Sequence, residues 1–152
     1  MRRHLLVLGF VAATGFAVSA AALAASQSTR AIEYRQGIYH AIGWNFHPML
    51  DMVRGKQAWN QAEFSKRAKR IAFYSQQLLE GFPAGSDKGA KTDAKPGIWS
   101  HFDDFKQKMS DFETTSAHMA QVAERGDEAA SKKAFMDTAK ACKACHERYR
   151  EK

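Results

Sequence analysis

At 152 residues the chain suits one domain with a single core, and a formal net charge of +7 at neutral pH makes it moderately basic. Its lysines and arginines are spread among acids, as in Glu124-Arg125-Gly126-Asp127-Glu128, and form no block with interleaved aromatics, which argues against nucleic-acid binding. Two cysteines, separated by two residues, are too few for a disulfide framework.

The chain opens with Arg2 and Arg3, an apolar run from Leu5 to Val18 and the small-residue stretch Ser19-Ala20-Ala21-Ala22-Leu23-Ala24. That succession is the order of a secretory signal peptide with Ala22-Leu23-Ala24 as its cleavage box, so residues 1–24 read as a signal and 25–152 as the mature domain. A membrane anchor is the alternative, but the run is short for a bilayer span and is interrupted by Thr14 and Ser19. Cleavage removes two arginines and no acid and leaves a net charge of +5, a diffuse positive field suited to an acidic redox partner.

Ile32, Arg35, Tyr39, Ile42, Phe46, Met49 and Val53 recur at spacings of three and four and predict a first helix with one buried seam, ending near Gly55. Pro48 lies inside it without an amide hydrogen for the ladder, so a kink or a loosened turn is expected there. Phe64, Ala68, Ile71, Ser75, Leu78 and Phe82 keep the same rhythm in a second helix from Gln57 to Glu80, stopped by Gly81-Phe82-Pro83. The stretch from Pro83 to Pro96 is poor in bulky apolar residues and reads as a crossing loop. A third helix carries Ile98, Phe102, Phe105, Met109, Phe112, Ser116, Met119 and Ala123 as far as Gly126, a natural C-terminal stop. The fourth starts at Asp127 as N-cap and bears Phe135, Ala139, Cys142, Cys145, His146 and Tyr149. No strand pattern competes, so the fold class is all-α: four seams buried against one another in an antiparallel bundle, up-down-up-down because the first and third connections are short.

The chemistry sits in Cys142-Lys143-Ala144-Cys145-His146. Two thiols three positions apart with histidine next in line is the attachment pattern of c-type haem, in which the sulfurs bond the porphyrin and the imidazole binds iron. At about 100° per residue, Cys145 and His146 flank Cys142 within an arc of roughly 100°, so all three can face one flat ligand. Three other readings stay open. A redox dithiol wants its cysteines at a helix N-terminus beside a βαβ unit, whereas these lie in the last turns of a helix. A structural zinc site needs a fourth ligand, and His40, His47, His101 and His118 lie off or beside the seams. A plain Cys142–Cys145 disulfide is the third.

With these residues in view the chain resembles the cytochrome c′ family, whose members are up-and-down bundles, so the fold assignment rests on the resemblance as well as on the seams. The resemblance covers nearly the whole mature chain and is carried by Tyr34-Arg35-Gln36, by Pro96-Gly97-Ile98-Trp99 and by the haem motif with Tyr149-Arg150. It implies one covalent haem c per chain, five-coordinate and high-spin, binding nitric oxide and carbon monoxide in a periplasmic homodimer packed through the first two helices. It places Arg35 and Gln36 beside the haem edge, Tyr39 over the distal face and Arg150 near His146. Pro48 departs from the pattern and puts the register of the lower half of the first helix in question.

The residues support the distal assignment independently. In an up-down-up-down bundle His146, near the end of the last helix, lies level with the first turns of the first, where Arg35 and Tyr39 stand. A buried arginine needs a partner for its charge, and a haem propionate would serve; the alternative is a side chain that snorkels to water. Ten residues, about 15 Å of helix, separate Tyr39 from Met49, so neither Met49 nor Met52 is expected to reach the iron. Gas binding is therefore the leading expectation, with a six-coordinate electron-transfer cytochrome as the alternative. Turnover of nitric oxide or peroxide ranks last, for want of an acid-base pair, so the chain is not read as an enzyme. The redox partner protein has no signature here. Trp44, Trp59 and Phe73 are the aromatic residues expected to serve the dimer.

Overall fold

In the computed structural model residues 14–151 are described, and residues 1–13 of the expected signal peptide lie outside them. The helices are α1 (Thr14–Val53), α2 (Gln61–Ser75), a short α3 (Gly97–Ser100), α4 (Phe102–Glu124) and α5 (Glu128–Tyr149), with a 3₁₀ turn at Leu79–Gly81. Among the described residues no helix is long and apolar enough to cross a membrane.

The long helices α1, α2, α4 and α5 form the four-helix bundle, each packing on the next in that order, while α1 and α5 barely meet. The buried stripe of α1 is Ile32, Arg35, Ile38, Ile42, Asn45, Met49 and Met52. It is turned by one residue from the expected seam at Tyr39, Phe46 and Val53, because Tyr39 faces a cleft and Phe46 reaches across to α5. In α2 Phe64, Ala68, Ile71 and Ser75 are buried as the periodicity requires.

Pro48 does not interrupt α1, which runs on to Val53. A proline leaves the carbonyl four residues earlier without its amide partner, here that of Trp44. Arg67 of α2 supplies the missing donor, its Nη1 lying 3.1 Å from the Trp44 oxygen, while its Nη2 pairs with Glu63 at 2.7 Å. Gly55, at φ 71°, takes the left-handed conformation that releases the chain from α1.

Two boundaries differ from the sequence reading. Helix α2 is shorter than Gln57–Glu80 because Asn60 caps it, its side-chain oxygen accepting the Glu63 amide at 2.9 Å, and because the chain tightens into i→i−3 bonds after Ser75. The expected third helix is broken at His101 (φ −129°, ψ 46°), where α3 closes through the His101 amide on the Gly97 carbonyl and α4 restarts with Asp103 and Asp104 in its first turn. Acids suit that new positive end. The seam survives the break, since Ile98 and Phe105 are both buried. Asp127 caps α5 as expected, accepting the Ala130 amide at 2.9 Å.

Where the cleft gives out, Phe46 of α1 stacks on Phe135 of α5 with centroids 4.6 Å apart, and Phe64 and Trp59 of the α2 side continue the cluster toward that end of the bundle. Trp59 thus packs, partly buried, against the monomer core, with Lys132 over its ring. Trp44 and Phe73 remain 76% and 61% exposed.

Candidate functional site

Between α1 and α5, at the other end, the bundle leaves a cleft of about 860 Å³. Its walls are the α1 residues Arg35, Gln36 and Tyr39, the α4 residues Phe105, Met109 and Phe112, and the α5 residues Cys142, Cys145, His146 and Tyr149, with Arg150 just beyond. The residues that the sequence assigned to the haem site, Arg35, Gln36, Tyr39, Cys142, Cys145, His146 and Arg150, all line this one cleft. The volume lies in the upper part of the range usual for small-molecule and cofactor sites, about 300–1,000 Å³, and suits a large flat ligand.

Helix α5 delivers the two thiols and the imidazole to one wall because residues three and four apart share a helix face. Both cysteines are free, so the disulfide alternative is not realised. Burial pushes each thiol up to about 11, and the neighbouring sulfur adds to the effect at Cys142. These are the reverse of the lowered values that a redox dithiol uses. Among the described residues no three His, Cys, Asp or Glu side chains converge, which leaves the zinc alternative without its ligand set. Burial and then the charge of Arg150 lower the basicity of His146, favouring the neutral ring that can donate a lone pair.

Opposite, Tyr39 turns its ring to the cleft, and its 37% exposure is cleft surface. Desolvation first, and then the two sulfurs, hold its phenol well above the ordinary range, so it stays neutral and its hydroxyl remains a donor. Met49 and Met52 are buried in the core and do not line the cleft, as their distance along α1 requires. Met109 does line it, from α4, and the sequence reading had it only as core. Its position follows once Phe105, Met109 and Phe112 are seen to face the gap that α1 and α5 leave.

Arg35 is 1% exposed, so it does not snorkel to water. Its guanidinium meets Gly81 in the 3₁₀ turn and Ser86 and Thr92 in the crossing segment, and Gln36 donates to the Lys91 carbonyl at 2.9 Å. Nothing in the sequence pattern pointed to Ser86 or Thr92, which sit in a stretch without periodicity. Arg150 lies close enough for its charge to act on His146, and its guanidinium reaches Asp93 at 3.5 Å. Next to it Tyr149, nearly buried, donates its hydroxyl to Asp104 at 2.5 Å, and that carboxylate also pairs with Arg148.

Fold and cleft together define a four-helix bundle with one large cleft walled by two thiols and an imidazole. The comparisons with known proteins narrow the class. The family model described as Cytochrome C' matches residues 30–150. The chain is 33% identical over 122 residues to the cytochrome c′ of Rubrivivax gelatinosus, covering 80% of this chain and 95% of that one. Among solved structures, the cytochrome c prime from Shewanella frigidimarina matches with a TM-score of 0.79 and 41% identity, over 82% of this chain and 97% of its own. The nitric oxide complex of a mutant cytochrome c prime from Alcaligenes xylosoxidans matches with a TM-score of 0.74 and 30% identity, over 82% of this chain and 97% of its own. The chain belongs to the cytochrome c′ family.

Proposed function

We propose that the chain is an exported, periplasmic c-type cytochrome that binds small diatomic gases, nitric oxide and carbon monoxide among them, and can pass electrons. The observation that carries this reading is the single wall of α5 on which Cys142, Cys145 and His146 line a large, mainly apolar cleft opposite Tyr39. That donor set fits a haem: two thiols for thioether bonds, one neutral imidazole for iron, and room for the macrocycle. When bound, the haem supplies an iron centre that takes a gas molecule and changes oxidation state. The rest is done by the chain. His146 would hold the iron as its one protein ligand, Tyr39 would shield the opposite wall with a neutral ring and a hydroxyl at its tip, and Arg150 would set the charge beside His146. Arg35 and Gln36 form the rim under the crossing loop.

The experiment is one optical series on the purified holoprotein. Haem that stays on the chain after acid-acetone extraction, a high-spin ferric spectrum and carbon monoxide binding on reduction are the expected results. Haem released into the solvent would end the attachment reading.

A second reading is favoured by one observation, the thioether of Met109 on the cleft wall. If it ligates iron, the protein is a six-coordinate electron carrier. A methionine-to-iron charge-transfer band and no carbon monoxide binding, both reversed in Met109→Leu, would establish that reading in place of the first.

The homodimer belongs to the proposal as well, through α1 and α2, where Trp44 and Phe73 leave apolar rings in solvent. Sedimentation at micromolar concentration should give twice the monomer mass, and Trp44→Ser with Phe73→Ser should return it to the monomer.

A further inference from the structure

Arg35 is the only charged side chain in the buried core of the described residues, and three of its four hydrogen bonds go to the crossing segment, the fourth to Gly81 just before it. A guanidinium carries five N–H donors in a rigid fork and no acceptor. Nη1 donates to the Gly81 carbonyl and to the Ser86 hydroxyl, both at 3.0 Å, and Nη2 to the Ser86 carbonyl at 2.8 Å and the Thr92 hydroxyl at 3.2 Å. Its carbon lies 4.7 Å from the Phe82 ring centre and 5.6 Å from that of Trp99. Both terminal nitrogens are thereby committed. A parallel, two-bond grip on a carboxylate needs N–H groups that are free to turn to it.

The same strip of α1 holds the crossing segment at other points. Ser28 donates to the Gly85 and Lys88 carbonyls, Thr29 to the Gly89 carbonyl at 2.9 Å, and Gln36 to that of Lys91. The approach is close enough to require glycine: a Cβ on Gly81 would fall 2.8 Å from the Cβ of Arg35. At its other end the segment grips the end of α5. Lys95 donates its amide to the Tyr149 carbonyl at 2.9 Å, Glu151 donates to the Asp93 carbonyl at 2.8 Å, and Ala94 bridges Arg150. The Arg150 amide in turn closes on the His146 carbonyl at 3.1 Å.

We propose that Arg35 is a positioning residue: it staples the crossing loop to α1 so that residues 93–95 hold the last turn of α5, and with it His146, at the cleft wall. The role given to His146 rests on the haem reading above; the stapling of the loop does not.

The test uses the holoprotein with Ser86→Ala/Thr92→Val, which removes two acceptors and leaves Arg35 in place, beside Arg35→Lys and Arg35→Met. Mass-mapped trypsin cleavage after Lys88 and Lys91 should speed up by at least about tenfold in the double variant, the factor expected when local opening loses roughly one charged hydrogen bond. Amide exchange at Lys95 and Glu151 should rise with it, and the iron–imidazole stretch should broaden. Arg35→Lys should not rescue, because an ammonium cannot span acceptors set out for a planar fork. Unchanged cleavage and exchange in Ser86→Ala/Thr92→Val would overturn the proposal. So would an Arg35→Met protein that keeps the loop protected while its midpoint potential shifts, which is the mark of a direct electrostatic contact. Should Arg35→Met fail to fold, the double variant still decides. Loss of haem from the wild type in acid-acetone would remove the haem reading without touching the cleavage result.

Discussion

The two ends of the bundle face one task, separating or joining α1 and α5, and they carry it out with different side chains. At the closed end α1 offers Phe46 and α5 offers Phe135, and the rings stack at 4.6 Å. At the open end the corresponding walls carry Gly43, Tyr39, Ala141 and the two cysteines, and a cleft remains. Stability is therefore concentrated where large apolar surfaces meet, and chemistry where small or polar residues keep them apart. Changes at one end should leave the other end's properties standing.

The largest effect is expected from Phe135→Ala at the closed end. Removing a fully buried phenylalanine should lower unfolding stability by about 3–5 kcal/mol, measured by denaturant titration of the holoprotein. Its optical spectrum at temperatures where it is folded should match the wild type; a changed spin state would mean that the two ends are coupled. Tyr39→Met is the converse. It should convert the ferric iron to a low-spin, six-coordinate form and abolish carbon monoxide binding, while stability moves by less than about 1.5 kcal/mol. Asn60→Ala, away from the cleft, removes the cap on the Glu63 amide and should cost about 1 kcal/mol with no spectral change.

The smallest effect sharpens the open end. The hydroxyl of Tyr149, and secondarily the charge of Arg148, hold the Asp104 carboxyl below the usual carboxylate range. A lowered folded-state value stabilises the protein above the unfolded-state value and ceases to do so as pH falls through the folded one. The stability difference between wild type and Asp104→Asn should thus be present at neutral pH and shrink as the solution is taken below about pH 4, in parallel urea titrations. A difference that grows on acidification would contradict the pairing.

Much of this architecture can be read from residue spacing. Apolar periodicity placed the long helices, Gly55 and Gly126 marked two exits, and Asp127 marked an entry, because each of these signals is local and acts through one turn of backbone. The neighbouring Cys142, Cys145 and His146 could be read for the same reason. The break at His101 could not, since Ile98, Phe102 and Phe105 keep a helical rhythm across it. Nor could the rotation of the α1 seam, which depends on what α5 presents to Phe46. The partners of Arg35 were least legible of all. They lie some fifty residues away in a segment whose glycines and serines suggest only a linker, and the preference of a buried guanidinium for partners does not say which ones it finds. The donor that Arg67 brings from the neighbouring helix to the carbonyl freed by Pro48 is likewise a long-range term that residue spacing does not show.

The separation of the α1 and α5 backbones also bears on how the chain reaches its native state. Neighbouring helices in the bundle are mostly neighbours along the chain, so the α1–α2 and α4–α5 hairpins can assemble from contacts of short sequence separation, a topology that folds quickly. Closing Phe46 on Phe135 joins points almost ninety residues apart, the step with the greatest loop entropy to overcome. In a stopped-flow experiment that seam should form late: Phe135→Ala should mainly speed unfolding and leave the folding rate nearly unchanged, a φ-value near zero. A bundle that finishes in this order passes through a stage in which its first and last helices stand apart along their whole length, with the cysteine-bearing face of α5 open to solvent.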